Sequence, residues 1–206
     1  MTETEEFVRE VCKDRDPSHG LEHMQRVRDN ALLICQMMEV TDEHMLSDVS
    51  LVALLHDVAD HKYDKDGSLT EKIRMFLVRN DIDPVPILSC IGAISFSKEQ
   101  KNGMRWFEKE LEPRWVQIRD IVSDADKLEA IGLVGVRRCL DYTVAQGHCG
   151  SDITKHLLGH MRDKLLLIRD HYIVTDAGKL LAAPLHEEMM RGALDIAIDT
   201  FGYKKC

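Results

Sequence analysis

No apolar run in the chain approaches the roughly 20 residues that span a bilayer, so a helical membrane protein is not expected. No stretch alternates polar and apolar residues with period two, so strands are not expected either. Internal repeats, low-complexity tracts and long linkers are also missing. Clustered Lys and Arg are scarce: the net charge is -9. That balance argues against a general nucleic-acid coat, although a local metal could still reverse the field at a small phosphate site. The six cysteines, Cys12, Cys35, Cys90, Cys139, Cys149 and Cys206, contain no Cys-x-x-Cys pair, and four lie among apolar neighbours. Free buried thiols in a reducing cytosol are therefore expected in place of a disulfide framework. The opening MTETEEFVRE is acidic and polar, which fits neither a signal nor a transit peptide, and a cytoplasmic location is expected.

What is present is ordinary globular composition, 44% apolar and 31% charged over 206 residues, enough for one domain or two closely joined lobes. The pattern punctuates into helices. Residues 3–13 form a short amphipathic helix, followed by a break at Asp16-Pro17-Ser18-His19-Gly20. Met24, Val27, Ala31, Ile34 and Met38 recur at helical spacing over 21–39. Ser47 opens a helix to about Asp60 that is apolar nearly all round, the mark of a central buried element. Ser68-Leu69-Thr70-Glu71 reads as a capping box. Pro84 and Pro86 open the segment reaching Ser95, and the polar Ser97–Asn102 reads as a loop. Residues 113–125 and 127–141 read as two helices, with Gly132 and Gly135 allowing close packing. A helix to about Tyr172 and a last one over Ala177–Phe201 complete an all-α bundle of about eight to ten helices.

Chemistry enters at His56-Asp57. Burying an ionised carboxylate in the most apolar helix is costly unless it faces a cation or strong donors. An HD dipeptide alone is more often a hydrogen-bonded pair in the core. Here His23 lies early on a long helix, and Asp124-Ala125-Asp126-Lys127 follows the apolar run Ile118–Val122. Two imidazoles and two carboxylates suit Mn²⁺, Fe²⁺, Co²⁺, Ni²⁺ or Zn²⁺, and side-chain chemistry does not choose among them. Asp60 lies one helical turn beyond the pair, where it can orient or deprotonate a water. Phosphate needs cations or donors around it. Candidates are His19, Arg26, His61, Lys62, Lys127 and Lys164, with His160 and Lys164 sharing a face at i, i+4. His44, His148, His156, His171 and His186 have no matched ligand partners and read as structural or exposed. Trp106 and Trp115 read as packing residues.

The order His23, His56-Asp57, Asp126 resembles the H…HD…D signature of the HD-domain phosphohydrolase superfamily. DPSHGLEHMQRV, ALLHDVADHKY, ISF, DADKLEAIGLVGVRR, KLLLIRD and TDAGKLLA resemble, in order and spacing, its bacterial YpgQ/YedJ-type subfamily. The resemblance covers about residues 15–195 and implies one HD-type domain over 1–206, with a metal cleft between two helical lobes. It implies His23, His56, Asp57 and Asp126 as ligands; Asp126 is preferred to Asp124 because Asp-Lys-Leu resembles the Asp-Arg-Leu of relatives. It raises Asp60 as the catalytic acid-base, and His19, Lys62 and Lys164 as substrate contacts; Lys127, next to Asp126, and His160, one turn from Lys164, are expected as substrate contacts from their positions.

The implied activity is cleavage of (deoxy)nucleoside triphosphates to monophosphate and pyrophosphate. Mn²⁺ is the favoured ion, with Fe, Co, Ni, Zn or Mg as alternatives. The competing readings are a 5′-nucleotidase or other phosphomonoesterase, and a nucleotide-binding module without catalysis. Two-metal relatives carry extra His ligands where this chain reads Cys90-Ile91-Gly92-Ala93-Ile94-Ser95-Phe96, so one ion is expected. The implied partner is a small nucleotide, not a nucleic acid or membrane, and some members of the subfamily form homodimers.

Overall fold

A computed structural model describes residues 2–15, 19–103 and 105–201. Asp16, Pro17 and Ser18 of the expected break, and Cys206, lie outside the described residues. The described residues are all-α, without a strand, as the missing period-two patterning predicts. The helices are α1 (Glu3–Val11), α2 (Leu21–Met37), α3 (Glu43–Leu55), α4 (Ser68–Arg79), α5 (Pro84–Ile94), α6 (Phe96–Asn102), α7 (Pro113–Ala130), α8 (Gly132–Ala145), α9 (Ser151–His160) and α10 (Asp176–Phe201). Among these residues no helix is long and apolar enough to cross a membrane.

The chain divides into two compact units, Met1–Ala125 and Asp126–Cys206. The division falls within α7.

In the first unit, α1 to α3 pack around α3, whose Val49, Val52, Ala53 and Leu55 are fully buried. Full burial of each such side chain is worth about 1.5–3 kcal/mol. The buried stripe of α2 is His23, Met24, Val27, Ala31, Ile34 and Cys35, the helical periodicity of the sequence. Glu5 joins α1 to α2. Its carboxylate closes the capping box on the Thr2 amide (2.8 Å) and accepts from Gln25 Nε2 (2.9 Å) and Arg28 Nη1 (2.6 Å).

Several boundaries differ from the sequence reading. Asp42, not Ser47, caps α3 by accepting from the His44 amide at 3.0 Å. The helix stops at Leu55 and not near Asp60, because the chain tightens there into i to i+3 bonds: Val58 N–H to Leu55 O (3.1 Å) and Asp60 N–H to Asp57 O (3.1 Å). Ser68 does not cap α4. The carboxylate of Asp64 does, accepting from Leu69 N–H (2.8 Å), Thr70 N–H (3.0 Å) and the Thr70 hydroxyl (2.6 Å). Ser97–Asn102, read as a loop, lies within α6. Residues 113–125 and 127–130 belong to one helix, not two.

A fully buried Arg119 organises this part of the chain. Its Nε donates to Ala93 O (2.9 Å), its Nη2 pairs with buried Glu99, and its guanidinium lies 4.0 Å from the Phe107 ring centroid. Trp106 and Trp115 pack around Phe107 and Leu111, the packing role the sequence assigns them. Cys12, Cys35, Cys90 and Cys139 are buried free thiols, and burial pushes Cys90 up to about 12, far from a reactive thiolate.

In the second unit α10 packs along α8 and α9. Gly135 lies where any Cβ would come 2.1 Å from Ala130 O, which explains the glycine at the start of α8. The expected helix to Tyr172 is not uniformly α: after His160 it widens into π-helical turns at Met161–Leu165 and Ile168–Tyr172.

Glu5 supplies a pH test. Hydrogen bonds from Gln25, the Thr2 amide and Arg28 hold its carboxyl down at about 2. A lowered folded-state value contributes stability above the ordinary carboxylate range, lost as pH falls towards that value. Urea unfolding should therefore show wild type losing more stability than Glu5→Gln between about pH 6 and about pH 3; equal losses would contradict this role.

Candidate metal centre

The end of α3 positions the chemistry. His56 is its C-cap residue, and its Nδ1 lies 2.8 Å from Ala53 O. A carbonyl can only accept, so Nδ1 carries the hydrogen and the Nε2 lone pair is left to act as a ligand. That Nε2 lies 3.7 Å from Asp57 Oδ1, and His23 Nε2 lies 3.6 Å from Asp57 Oδ2. Both imidazoles are buried, while the Asp57 side chain is 22% exposed. The rings of His23 and His56 meet edge to face, centroids 5.5 Å apart.

Near the start of α7, Arg114 Nη1 pairs with Asp48 Oδ2 of α3 at 2.7 Å. One donor atom each from His23, His56 and Asp126 lie within 4.8 Å of one another. Asp124 is two positions away, about 200° around the helix, and fully buried.

Imidazole nitrogens and carboxylate oxygens at these spacings fit a first-row divalent ion. Ion-to-ligand lengths near 2.1 Å put adjacent donors about 3 to 3.4 Å apart, slightly closer than the separations around Asp57. The helix C-terminus adds to the fit, since the negative end of the helix dipole favours a cation.

Asp60 lies in the turn after α3, 22% exposed. Its Oδ1 accepts from the Lys62 amide at 2.9 Å, and Oδ2 lies 3.5 Å from His61 Nδ1. Lys62 Nζ lies 3.2 Å from His19 Nε2. The ammonium can only donate, so His19 accepts through Nε2 in its neutral form. The sequence places these two residues on one list of phosphate contacts; the structure puts them in contact. Lys127 is buried on α7 and Arg26 is exposed on α2. His160 faces a surface recess with Lys155, His156, Gly159 and Asp163. Burial first, and the Lys164 ammonium second, lower its pKa from the usual imidazole range. The π-helical turn after His160 changes the α-helical register expected between His160 and Lys164.

Sequence reading missed Arg15. Its Nη1 donates to Asp57 O (2.8 Å) and its Nη2 to Val58 O (2.5 Å), and the guanidinium lies 4.2 Å from the Tyr63 ring centroid. It satisfies carbonyls left over where α3 ends, and so fixes the backbone that carries Asp57. A basic residue before a break is common, so nothing local marks it. Arg15→Ala should cost about 1–3 kcal/mol of unfolding free energy and weaken divalent-ion binding. Unchanged values in both denaturation and calorimetric titration would refute the positioning role.

No protein-family model matches the sequence. The chain is 28% identical over 190 residues to the uncharacterized protein YpgQ of Bacillus subtilis, spanning 90% of this chain and 86% of that one. It is 29% identical over 155 residues to the uncharacterized protein L803 of Acanthamoeba polyphaga mimivirus, covering 68% of this chain and only 59% of the viral one. The crystal structure of YpgQ in complex with ADP superposes with a TM-score of 0.72 at 26% identity, covering 97% of this chain and 94% of YpgQ. An HD-superfamily hydrolase from Bacillus thuringiensis shares the fold, with a TM-score of 0.64 at 23% identity over 95% of this chain and 94% of that one. The chain is thus similar to YpgQ along nearly its whole length, and it shares its fold with an HD-superfamily hydrolase.

Proposed function

We propose that this protein is a metal-dependent phosphohydrolase acting on nucleotides, which cleaves (deoxy)nucleoside triphosphates to the monophosphate and pyrophosphate. The observation that carries the hydrolase reading is the gathering of His23, His56 and Asp126 donor atoms within 4.8 Å, beside the Asp57 carboxylate. The nucleotide part is supported by YpgQ having been crystallised with ADP. The ligands are His23, His56, Asp57 and Asp126. One divalent ion held there, Mn²⁺ by preference, would supply Lewis acidity towards a phosphate oxygen and lower the pKa of a water.

The rest of the chemistry belongs to the chain's own residues. Asp60 takes the proton of the attacking water as its oxygen joins the α-phosphorus. The bond from that phosphorus to the α–β bridging oxygen breaks, and pyrophosphate leaves with the electron pair. His19 and Lys62, already in contact, are placed to donate to phosphate oxygens once substrate replaces their mutual bond. Lys127, His160 and Lys164 are proposed as further phosphate contacts from their motifs.

Metal-stripped protein reloaded with each divalent ion and given a nucleotide panel should release pyrophosphate. Orthophosphate in its place would select the phosphomonoesterase reading, and no hydrolysis of any phosphate ester or anhydride would reject an enzyme. In Asp60→Asn the amide oxygen still accepts from the Lys62 amide, so the turn is kept. Ion affinity should stay unchanged while kcat falls about 100-fold or more; unchanged kcat would remove Asp60 from proton transfer.

A further inference from the structure

The second unit holds another group of donors, none of them among the four ligands proposed above, although His156 shares a surface recess with His160. His148, Asp152 and His156 each offer one ligand atom, all within 4.8 Å of one another. Two glycines in left-handed conformations, Gly147 (φ +87°) and Gly150 (φ +57°), turn the chain back over the start of α9. That turn lays the His148 ring on the His156 ring, centroids 3.6 Å apart and planes 31° from parallel. Asp152 sits between them in sequence and space, one turn of α9 before His156. His148 Nδ1 donates to Asp152 Oδ2 at 2.5 Å, and His156 Nε2 lies 3.6 Å from Asp152 Oδ1.

An imidazole binds a metal through the lone pair of an unprotonated nitrogen, and in its neutral form each ring has one such nitrogen. We propose that His148, Asp152 and His156 form a second divalent-metal site, of the two-imidazole, one-carboxylate kind that takes Zn²⁺. Donors about 2.0–2.1 Å from a tetrahedral zinc stand about 3.4 Å from one another. The 2.5 and 3.6 Å separations bracket that spacing, so the ion needs only a modest opening of the His148–Asp152 contact. Ligation through His148 Nδ1 moves the ring proton to Nε2, which faces no demand from the carboxylate. The exposed Lys155 beside Asp152 opposes a cation, but solvent and salt screen it. The partly exposed setting leaves the fourth position to water or an outside ligand. The imidazoles that the sequence reads as unmatched thus match each other once the glycine turn is folded.

The test is zinc stoichiometry on the metal-stripped full chain by equilibrium dialysis, with no turnover required. Wild type should bind two Zn²⁺. His148→Ala/His156→Ala should bind one, and Asp152→Asn should weaken the same ion at least tenfold. All three side chains are partly exposed, so circular dichroism should show the fold retained. Equal zinc counts in wild type and the double variant, or a wild-type count of one that His56→Ala abolishes, would overturn the proposal. Loss of a single ion in His56→Ala with the surface ion retained addresses the hydrolase centre alone, so the two readings fail separately.

Discussion

The hydrogen bond from His56 Nδ1 to the Ala53 carbonyl is the constraint on which the proposed metal centre depends. It ties the ring to the last turn of the most buried helix and selects its tautomer. Without it the ring could present either nitrogen. With it, the lone pair is on Nε2, beside Asp57 and near His23 and Asp126. The apolar character of α3 therefore serves chemistry indirectly: a helix buried on nearly every face cannot shift, and neither can the groups at its end.

The surrounding contacts fix the other ligands against that end. Glu5 binds α2 through Gln25 and Arg28, on one edge of the stripe that carries His23. Arg114 and Arg119 tie α7 to α3 and to the end of α5. Arg15 closes the turn from outside by capping the carbonyls of Asp57 and Val58. Each is a charged group working on backbone or another charge at a helix end. Loosening one should displace a ligand without emptying the core, which separates metal affinity from global stability.

Much of this was legible in the sequence, for identifiable reasons. The all-α class followed from 3.6-residue periodicity and no alternation. His23, His56-Asp57 and Asp126 stand out in the sequence because polar groups break apolar patterns in a known order, and donor atoms of His23, His56 and Asp126 lie within 4.8 Å of one another. Helix ends were harder. α3 stops five residues early because i to i+3 bonds tighten the chain at His56–Asp60, and no Gly or Pro marks the stop. Ser97–Asn102 looked like a loop, yet lies within a helix whose Glu99 is anchored by buried Arg119. Asp64 caps α4 from outside the Ser-Leu-Thr-Glu pattern that suggested a local cap. Arg15 and the His148–Asp152–His156 cluster depend on backbone turns, which spacing alone does not encode.

The central claim is that His56 Nε2, with its tautomer set by Ala53, helps hold one divalent ion with His23, Asp57 and Asp126. Anomalous diffraction from crystals soaked in Mn²⁺ tests it most directly. The account predicts a manganese peak within ligand distance of His23, His56 and Asp126, with His56 bound through Nε2 and Nδ1 still on the Ala53 carbonyl. No peak among these residues, or ligation through Nδ1 with the Ala53 hydrogen bond broken, would contradict it.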